Sequence, residues 1–252
     1  MIRFTAAGTV GTVTLDRPPV NAIDPAFVTA FHEALDAAWN AAPTVLVIHS
    51  TQKCFCAGAD LSLIAGFFDA PDGIALMEDY VRSLHALFDR LEAFPAVTLA
   101  VIDGPALGGG LELALACDLR AASTRAQIGL PEAKVGMIPG AGGTQRLTRL
   151  CGPGVSARLI LGGEVVDGAE AERLGIVQWA VEADALGAFV ADTAARAGGL
   201  SRQALLASKD CIAAWHDPQI DGFAREIEKP RELMPTQEAR GRVLSFFRRK
   251  AG

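Results

Sequence analysis

Apolar and polar residues alternate from Val10 to Leu15, the two-residue period of a strand with one buried face. Strand-like apolar runs follow at Val45 to His49 and Ala96 to Ile102, and helix-length segments lie between and after them, at Pro25 to Asn40, Ile74 to Ala93 and Leu111 to Cys117. Strands and helices that alternate in this way predict an α/β fold. The first helix carries its own start signal, with Asp24 as N-cap and Pro25 at the first helical position. Its Phe27, Phe31, Leu35 and Ala38 recur at helical spacing, so that face is expected in the core. Beyond about residue 200 helix formers dominate, in Gln203 to Trp215 and Asp221 to Leu233, with interruptions expected at Pro218, Pro230 and Pro235. The chain therefore divides into a core over residues 1–195 and a helical C-terminal region over 196–252. The opening stretch, Met1 to Asp16, reads as a first strand. It lacks the basic and apolar regions of a signal peptide.

Composition narrows the function classes. Of 252 residues half are hydrophobic and 21% are charged, enough to close a full core. No apolar run approaches the roughly 20 residues of a membrane-spanning helix, so no membrane association is expected. A net charge of -6 argues against nucleic acid, whose binding needs a basic surface. An anionic ligand would have to meet a local basic patch. Cys54, Cys56, Cys117, Cys151 and Cys211 are odd in number and scattered, as expected of buried reduced thiols in a cytoplasmic protein. Cys54 and Cys56 stand one residue apart, the spacing of neither a redox pair nor a zinc site, and no metal is expected.

Three segments carry candidate chemistry. Residues 95–118, PAVTLAVIDGPALGGGLELALACD, pass from an apolar strand through Gly108, Gly109 and Gly110 directly into a helix. Glycines there let backbone approach a ligand, and the free N–H groups of a helix start stabilise negative charge; a tight turn needed only for packing is the alternative. The spacing is not G-x-G-x-x-G, and no G-x-x-x-x-G-K-[ST] occurs, which argues against dinucleotide and P-loop folds. Glu112 falls in the first helical turn, where an acid suits the dipole whether or not it reacts. FCAGADL at 55–61 again sets small residues after a strand, and GLPEAKVGMIPGAGGTQRL at 129–147 places Glu132 after Pro131 and a glycine-rich turn before another helix.

In this order and spacing the three blocks resemble the oxyanion and catalytic segments of the enoyl-CoA hydratase/isomerase (crotonase) family, and LDRPPVNAI at 15–23 resembles its N-terminal signature. The resemblance covers roughly residues 10–180. It implies a spiral of β-β-α units with a helical C-terminal region, assembled as a homotrimer or dimer of trimers. It also implies an acyl-CoA thioester as substrate, with coenzyme A as part of that substrate and no separate cofactor. The backbone N–H groups of Ala59 and Gly109 would form the oxyanion hole. Glu112 and Glu132 match the two acids of the hydratases, which favours hydration of a trans-2-enoyl-CoA to a 3-hydroxyacyl-CoA. By the same analogy Glu132 exchanges the proton at Cα and Glu112 chiefly serves the water. The alternatives are a Δ3,Δ2-enoyl-CoA isomerase, another oxyanion-hole reaction, or an acyl-CoA-binding subunit.

The resemblance lays the coenzyme along loops 17–23 and 57–62, with Arg17, Ala22, Lys53, Ala57, Asp60, Leu61, Gly108 and Pro131 as contacts. Ser62 stands where many relatives carry a lysine. Arg248, Arg249 and Lys250 either compensate for it or form a solvated helix end. The family's C-terminal pattern is reduced here to Glu238, Gly241 and Arg242 before Ser245 and Phe246. The stretch Leu63 to Phe94, with Phe67, Phe68, Met77, Tyr80, Leu84 and Leu87, is expected to wall the acyl pocket or belong to the core. His32, His49, His85 and His216 are read as structural, and no G-x-S-x-G elbow accompanies them.

Overall fold

A computed structural model describes residues 1–215 and 219–250; His216 and Pro218 lie outside the described residues, as do the side chains of Arg249 and Lys250. The chain begins with a hairpin, β1 (Ile2–Ala7) and β2 (Val10–Leu15), where a single first strand was expected. Gly8, at φ +59°, makes the reversal between them. Helix α1 (Pro25–Ala41) starts at Asp24, whose carboxylate accepts from the Phe27 N–H. Strand β3 (Val45–Ser50) leads to α2 (Leu61–Asp69) and α3 (Gly73–Glu92).

From there the chain repeats a strand, strand, helix unit. β4 (Val97–Ile102), β5 (Ala106–Leu107) and α4 (Gly109–Leu115) form one turn; β6 (Leu119–Ser123), β7 (Gln127–Gly129), a 3-10 turn (Glu132–Val135) and α5 (Gly143–Ile160) form the next. β8 (Val165–Asp167), α6 (Gly168–Arg173), β9 (Trp179–Val181) and α7 (Ala183–Gly198) complete the spiral. Each turn contributes one strand to a large sheet, order β1-β2-β3-β4-β6-β9, and one to a small sheet, order β5-β7-β8. This is the expected spiral of β-β-α units.

The large sheet is parallel from β2 onward and buried on both faces. Leu46, Ile48, Ala100, Ile102 and Ala122 face one core with Phe27, Phe31 and Leu35 of α1 and Leu87 and Phe88 of α3. Val45, Val47, Leu99 and Ala121 face the opposite way, onto Leu186, Val190 and Ala194 of α7. Burial on both sides is why β3 and β4 read as nearly continuous apolar runs while β2 alternates. Leu87 is fully buried in this core and is not a pocket wall.

The helices α8 (Arg202–Ala214), α9 (Gly222–Leu233) and α10 (Gln237–Lys250) follow, and the expected boundary at 195/196 falls inside α7. Lys209 of α8 bonds Phe94 O, Ala96 O and Asp118, tying the helix to β4. Pro230 does not interrupt α9: the helix runs through it to Leu233. On α9 and α10, Phe223, Ile227, Val243 and Phe247 stand in solvent. No helix among the described residues is long and apolar enough to cross a membrane.

Candidate active site

The small sheet gathers the candidate segments. Cys56 bridges to Ala106, and β5 pairs in parallel with β7, so Leu107 opposes Gly129. Residues 56–59, 106–109 and 129–132 therefore lie side by side. Ile23 joins them through a bridge to Ala59, donating to Gly58 O at 2.8 Å and accepting from Asp60 N–H at 2.9 Å. The Tyr80 hydroxyl donates to the same Ile23 carbonyl at 2.8 Å and ties α3 to this loop. Asn21, fully buried, donates to Phe55 O at 2.9 Å and Ser50 Oγ at 2.8 Å, and accepts from Arg17 N–H. It fixes the 17–23 loop against the 54–56 segment, a role that LDRPPVNAI alone does not reveal.

Ala59 and Gly109 are brought together: a methyl group on Gly109 would stand 3.5 Å from Ala59 N. Gly58, at φ +97°, makes this approach, and a methyl there would come within 3.0 Å of Gly109 N. Among the described residues neither the Ala59 nor the Gly109 N–H donates to a backbone carbonyl. Gly109 opens α4, so its N–H lacks a helical acceptor, and the dipole adds positive potential there. The far end of this short helix is held by fully buried Arg120, which donates to Cys117 O at 2.7 Å and Ala114 O at 3.3 Å.

Glu112 extends from the first turn of α4 into a cavity of about 320 Å³ shared with Glu132. It is 2% exposed, and its Oε1 accepts from Ala141 N–H at 2.8 Å and Gly143 N–H at 2.7 Å. Burial pushes its carboxyl up to about 7 against the pull of those bonds, with the Glu132 charge adding to the rise. Glu132 is held differently. Both its carboxyl oxygens are buried without a hydrogen-bond partner, and Oε1 would stand 3.0 Å from a methyl group on Gly108. Burial raises its pKa as well. Two donors thus hold one oxygen of the Glu112 carboxyl, while both oxygens of Glu132 are buried without a partner.

Ala57, Ala59, Leu61, Gly108, Gly109 and Pro131 line this cavity with the two acids. Arg17, Ala22, Lys53 and Asp60 do not. Arg17 forks onto Asp24 and reaches Ala22 O at 3.3 Å, bracing the start of α1. Asp60 caps α2 by accepting from Ser62 N–H at 2.8 Å. Lys53 is exposed at the surface. Of the expected acyl walls, Met77, Tyr80 and Leu84 line the cavity. Phe67 and Phe68 instead line an adjoining groove of about 760 Å³, which meets the cavity at Ile64, Met77 and Met137. Met137, Ile138, Gly140 and Ala141 were not expected in the site. Their only sequence signal was apolar residues among turn formers after Glu132.

The enoyl-CoA hydratase/isomerase family model matches residues 5–240. The chain is 43% identical over 175 residues to enoyl-CoA hydratase domain-containing protein 2, mitochondrial, of Bos taurus, an alignment covering 68% of this chain and 57% of that protein. It is 46% identical over 136 residues to an enoyl-CoA isomerase/hydratase of Mycosarcoma maydis, covering 54% of this chain and 48% of the relative. The chain thus spans about half the length of the curated relatives it matches. Against the crystal structure of an enoyl-CoA hydratase from Bacillus anthracis the TM-score is 0.90 at 30% identity, covering 99% of this chain and 96% of the other. With the spiral fold, the paired amides and the two buried carboxyls in place, the chain belongs to the enoyl-CoA hydratase/isomerase family.

Proposed function

We propose that this protein is an enoyl-CoA hydratase that adds water across a trans-2-enoyl-CoA to give the 3-hydroxyacyl-CoA. The observation that carries the reading is the asymmetry of the two carboxyls beside a free pair of amides. The Ala59 and Gly109 N–H groups hold the thioester oxygen, each worth about 3 kcal/mol once that oxygen becomes an enolate. Ionised Glu112 takes a proton from water as the water oxygen bonds Cβ. The alkene electrons move into the enolate, and neutral Glu132 gives its proton to Cα. Proton exchange with solvent then resets the pair. These steps need no separate cofactor.

The active form holds one proton across two coupled carboxyls, so a bell-shaped pH dependence of kcat/KM is expected, its limbs belonging to the pair. Glu112 must be ionised, so activity rises with pH through its pKa, near 7. Glu132 must be protonated, so activity falls again where the pair loses its second proton; burial raises Glu132 as well. Gln at 132 is expected to erase the alkaline limb of the residual activity. A flat profile would exclude the paired-acid mechanism.

The groove beyond Met77 and Met137 is lined by Phe67, Phe68, Ile74 and Ala75, carries the acids Asp72 and Glu78, and among the described residues has no cation in its lining. It favours an apolar acyl tail over a carboxylated one, and the phosphates of coenzyme A belong elsewhere. Each methylene buried there is expected to raise kcat/KM about fourfold, from about 0.8 kcal/mol per CH2. Rates on C4, C6 and C8 enoyl-CoAs test this; equal rates would place the tail in solvent. The exposed Phe223, Ile227, Val243 and Phe247 support burial of α9 and α10 in a homotrimer or dimer of trimers.

A second reading is a Δ3,Δ2-enoyl-CoA isomerase, favoured by a Glu132 whose oxygens are both free to carry a proton between carbons. Absorbance of the conjugated thioester separates the two: hydration of a 2-enoyl-CoA removes it, and isomerisation of a 3-enoyl-CoA creates it.

A further inference from the structure

The GGTQRL run at 142–147 enters neither the oxyanion hole nor the acid pair, yet it carries one of the few buried charges in the chain. Arg146, on the first turn of α5, is 8% exposed. Its Nη1 donates to Ala141 O at 3.0 Å, its Nε to Glu92 at 2.9 Å and its Nη2 to Asp89 at 2.6 Å. The acids belong to α3 and are largely hydrated, 46% and 66% exposed at their side chains. They orient the guanidinium from outside, while its inner arm holds a single carbonyl. Gly142, at φ +103°, is what lets that arm in: a methyl group there would stand 2.2 Å from Nη1.

The carbonyl held by Arg146 belongs to Ala141, whose own N–H, together with that of Gly143, grips Oε1 of Glu112. Among the described residues no donor reaches Oε2 of Glu112, and the side chain lines the cavity. We propose that Arg146 is a positioning residue for Glu112: by fixing the Ala141 carbonyl it holds the 140–143 turn so that two amides fasten one carboxylate oxygen and leave the other for water. Its catalytic meaning rests on the hydratase reading. A guanidinium suits the task because its planar fork reaches the turn and both acids at once, which an ammonium does not.

The other charged or titratable groups around Glu112 are Glu132 and Lys134 from the 3-10 turn, which line the same cavity, and Tyr80 from α3, with His85 of α3 against Gly142. Of the cations among the described residues, Arg146 is the one whose charge acts on Glu112, and it favours the ionised form. Loss of Arg146 therefore raises the pH at which Glu112 ionises, first by removing that charge and second by loosening the two N–H bonds.

The test compares Arg146→Gln, Arg146→Lys and the double variant Asp89→Asn/Glu92→Gln with wild type in two readouts. One is kcat and KM on a trans-2-enoyl-CoA. The other is carbon NMR titration of Glu112 in glutamate-labelled protein, assigned with Glu112→Gln, which needs no turnover. Arg146→Gln is expected to lower kcat by about 10- to 100-fold through mispositioning, with KM within about threefold, and to move the Glu112 midpoint upward. Arg146→Lys is expected to restore part of both. The double variant loses the outer braces but keeps the Ala141 contact, so it is expected to lower kcat by less than Arg146→Gln even where it loses as much thermal stability. Unchanged kcat and midpoint in folded Arg146→Gln would overturn the proposal, as would a loss of kcat that merely follows stability across all three variants. Should Arg146→Gln not fold, Arg146→Lys decides: wild-type kcat and midpoint in it would also overturn the proposal. If wild type hydrates no enoyl-CoA, the hydratase reading fails while the titration still shows whether Arg146 sets Glu112.

Discussion

Glu132→Gln is expected to lower kcat for hydration about 1000-fold, within the range that general acid–base catalysis supplies, while KM stays within about threefold. Glutamine keeps the shape of the side chain but has no acidic proton for Cα. No hydrogen bond is lost, because neither carboxyl oxygen has a partner. Substrate is held by the Ala59 and Gly109 amides and by apolar walls, none of which the change touches. Glu112→Gln should fall by a comparable factor for a different reason. Its amide oxygen still accepts from the Ala141 and Gly143 N–H groups, so the turn keeps its place, but no base faces the water. Stopped assays on trans-2-enoyl-CoA, with thermal unfolding alongside, check both. Near wild-type turnover in either protein would remove that acid from the mechanism. Loss of hydration with isomerisation kept in Glu112→Gln would favour the isomerase reading.

A methyl group at Gly110 is expected to do comparable damage through backbone alone. It would stand 1.9 Å from the Cys56 carbonyl oxygen and 2.6 Å from the carbon. The Cys56 backbone has little room to yield, since it donates to Pro105 O and accepts from Leu107 N–H, both at 3.1 Å. Gly110→Ala therefore forces α4 away from the 56–59 loop and pulls Gly109 N from Ala59 N. The overpacking costs about 1–3 kcal/mol of stability. The misplaced oxyanion donor costs about 100- to 1000-fold in kcat. Gly187→Ala, on α7 with nothing within 4 Å of the added carbon, serves as the control, expected to gain up to about 1 kcal/mol of stability with activity unchanged. Wild-type kcat in Gly110→Ala would mean that the two amides need not be held this closely.

The N-terminal strand shows one limit of the linear pattern. Alternation at Val10 to Leu15 marks β2, but Ile2–Ala7 is largely exposed on the sheet edge, so its strand carries little apolar signal. Pro230 shows another. Proline removes one donor and crowds the carbonyl four residues back, yet α9 continues past it to Leu233 where the pattern predicted a break.

The alternation of strand and helix, the start of α1, the glycine turn into α4 and the spacing of Glu112 from Glu132 were all legible in the sequence. These are local: burial period, capping chemistry and side chains too small to block a backbone are written residue by residue. Tertiary structure decided which of them meet. The parallel pairing of β5 with β7 and the bridges at Cys56 and Ala59 place three distant segments side by side. The same folding turns Arg17 onto Asp24, sends Leu87 into the core, and brings the 140–143 turn, through Arg146, onto Glu112. Such contacts depend on register between strands and on the shape left between helices, and neither is encoded at any single position.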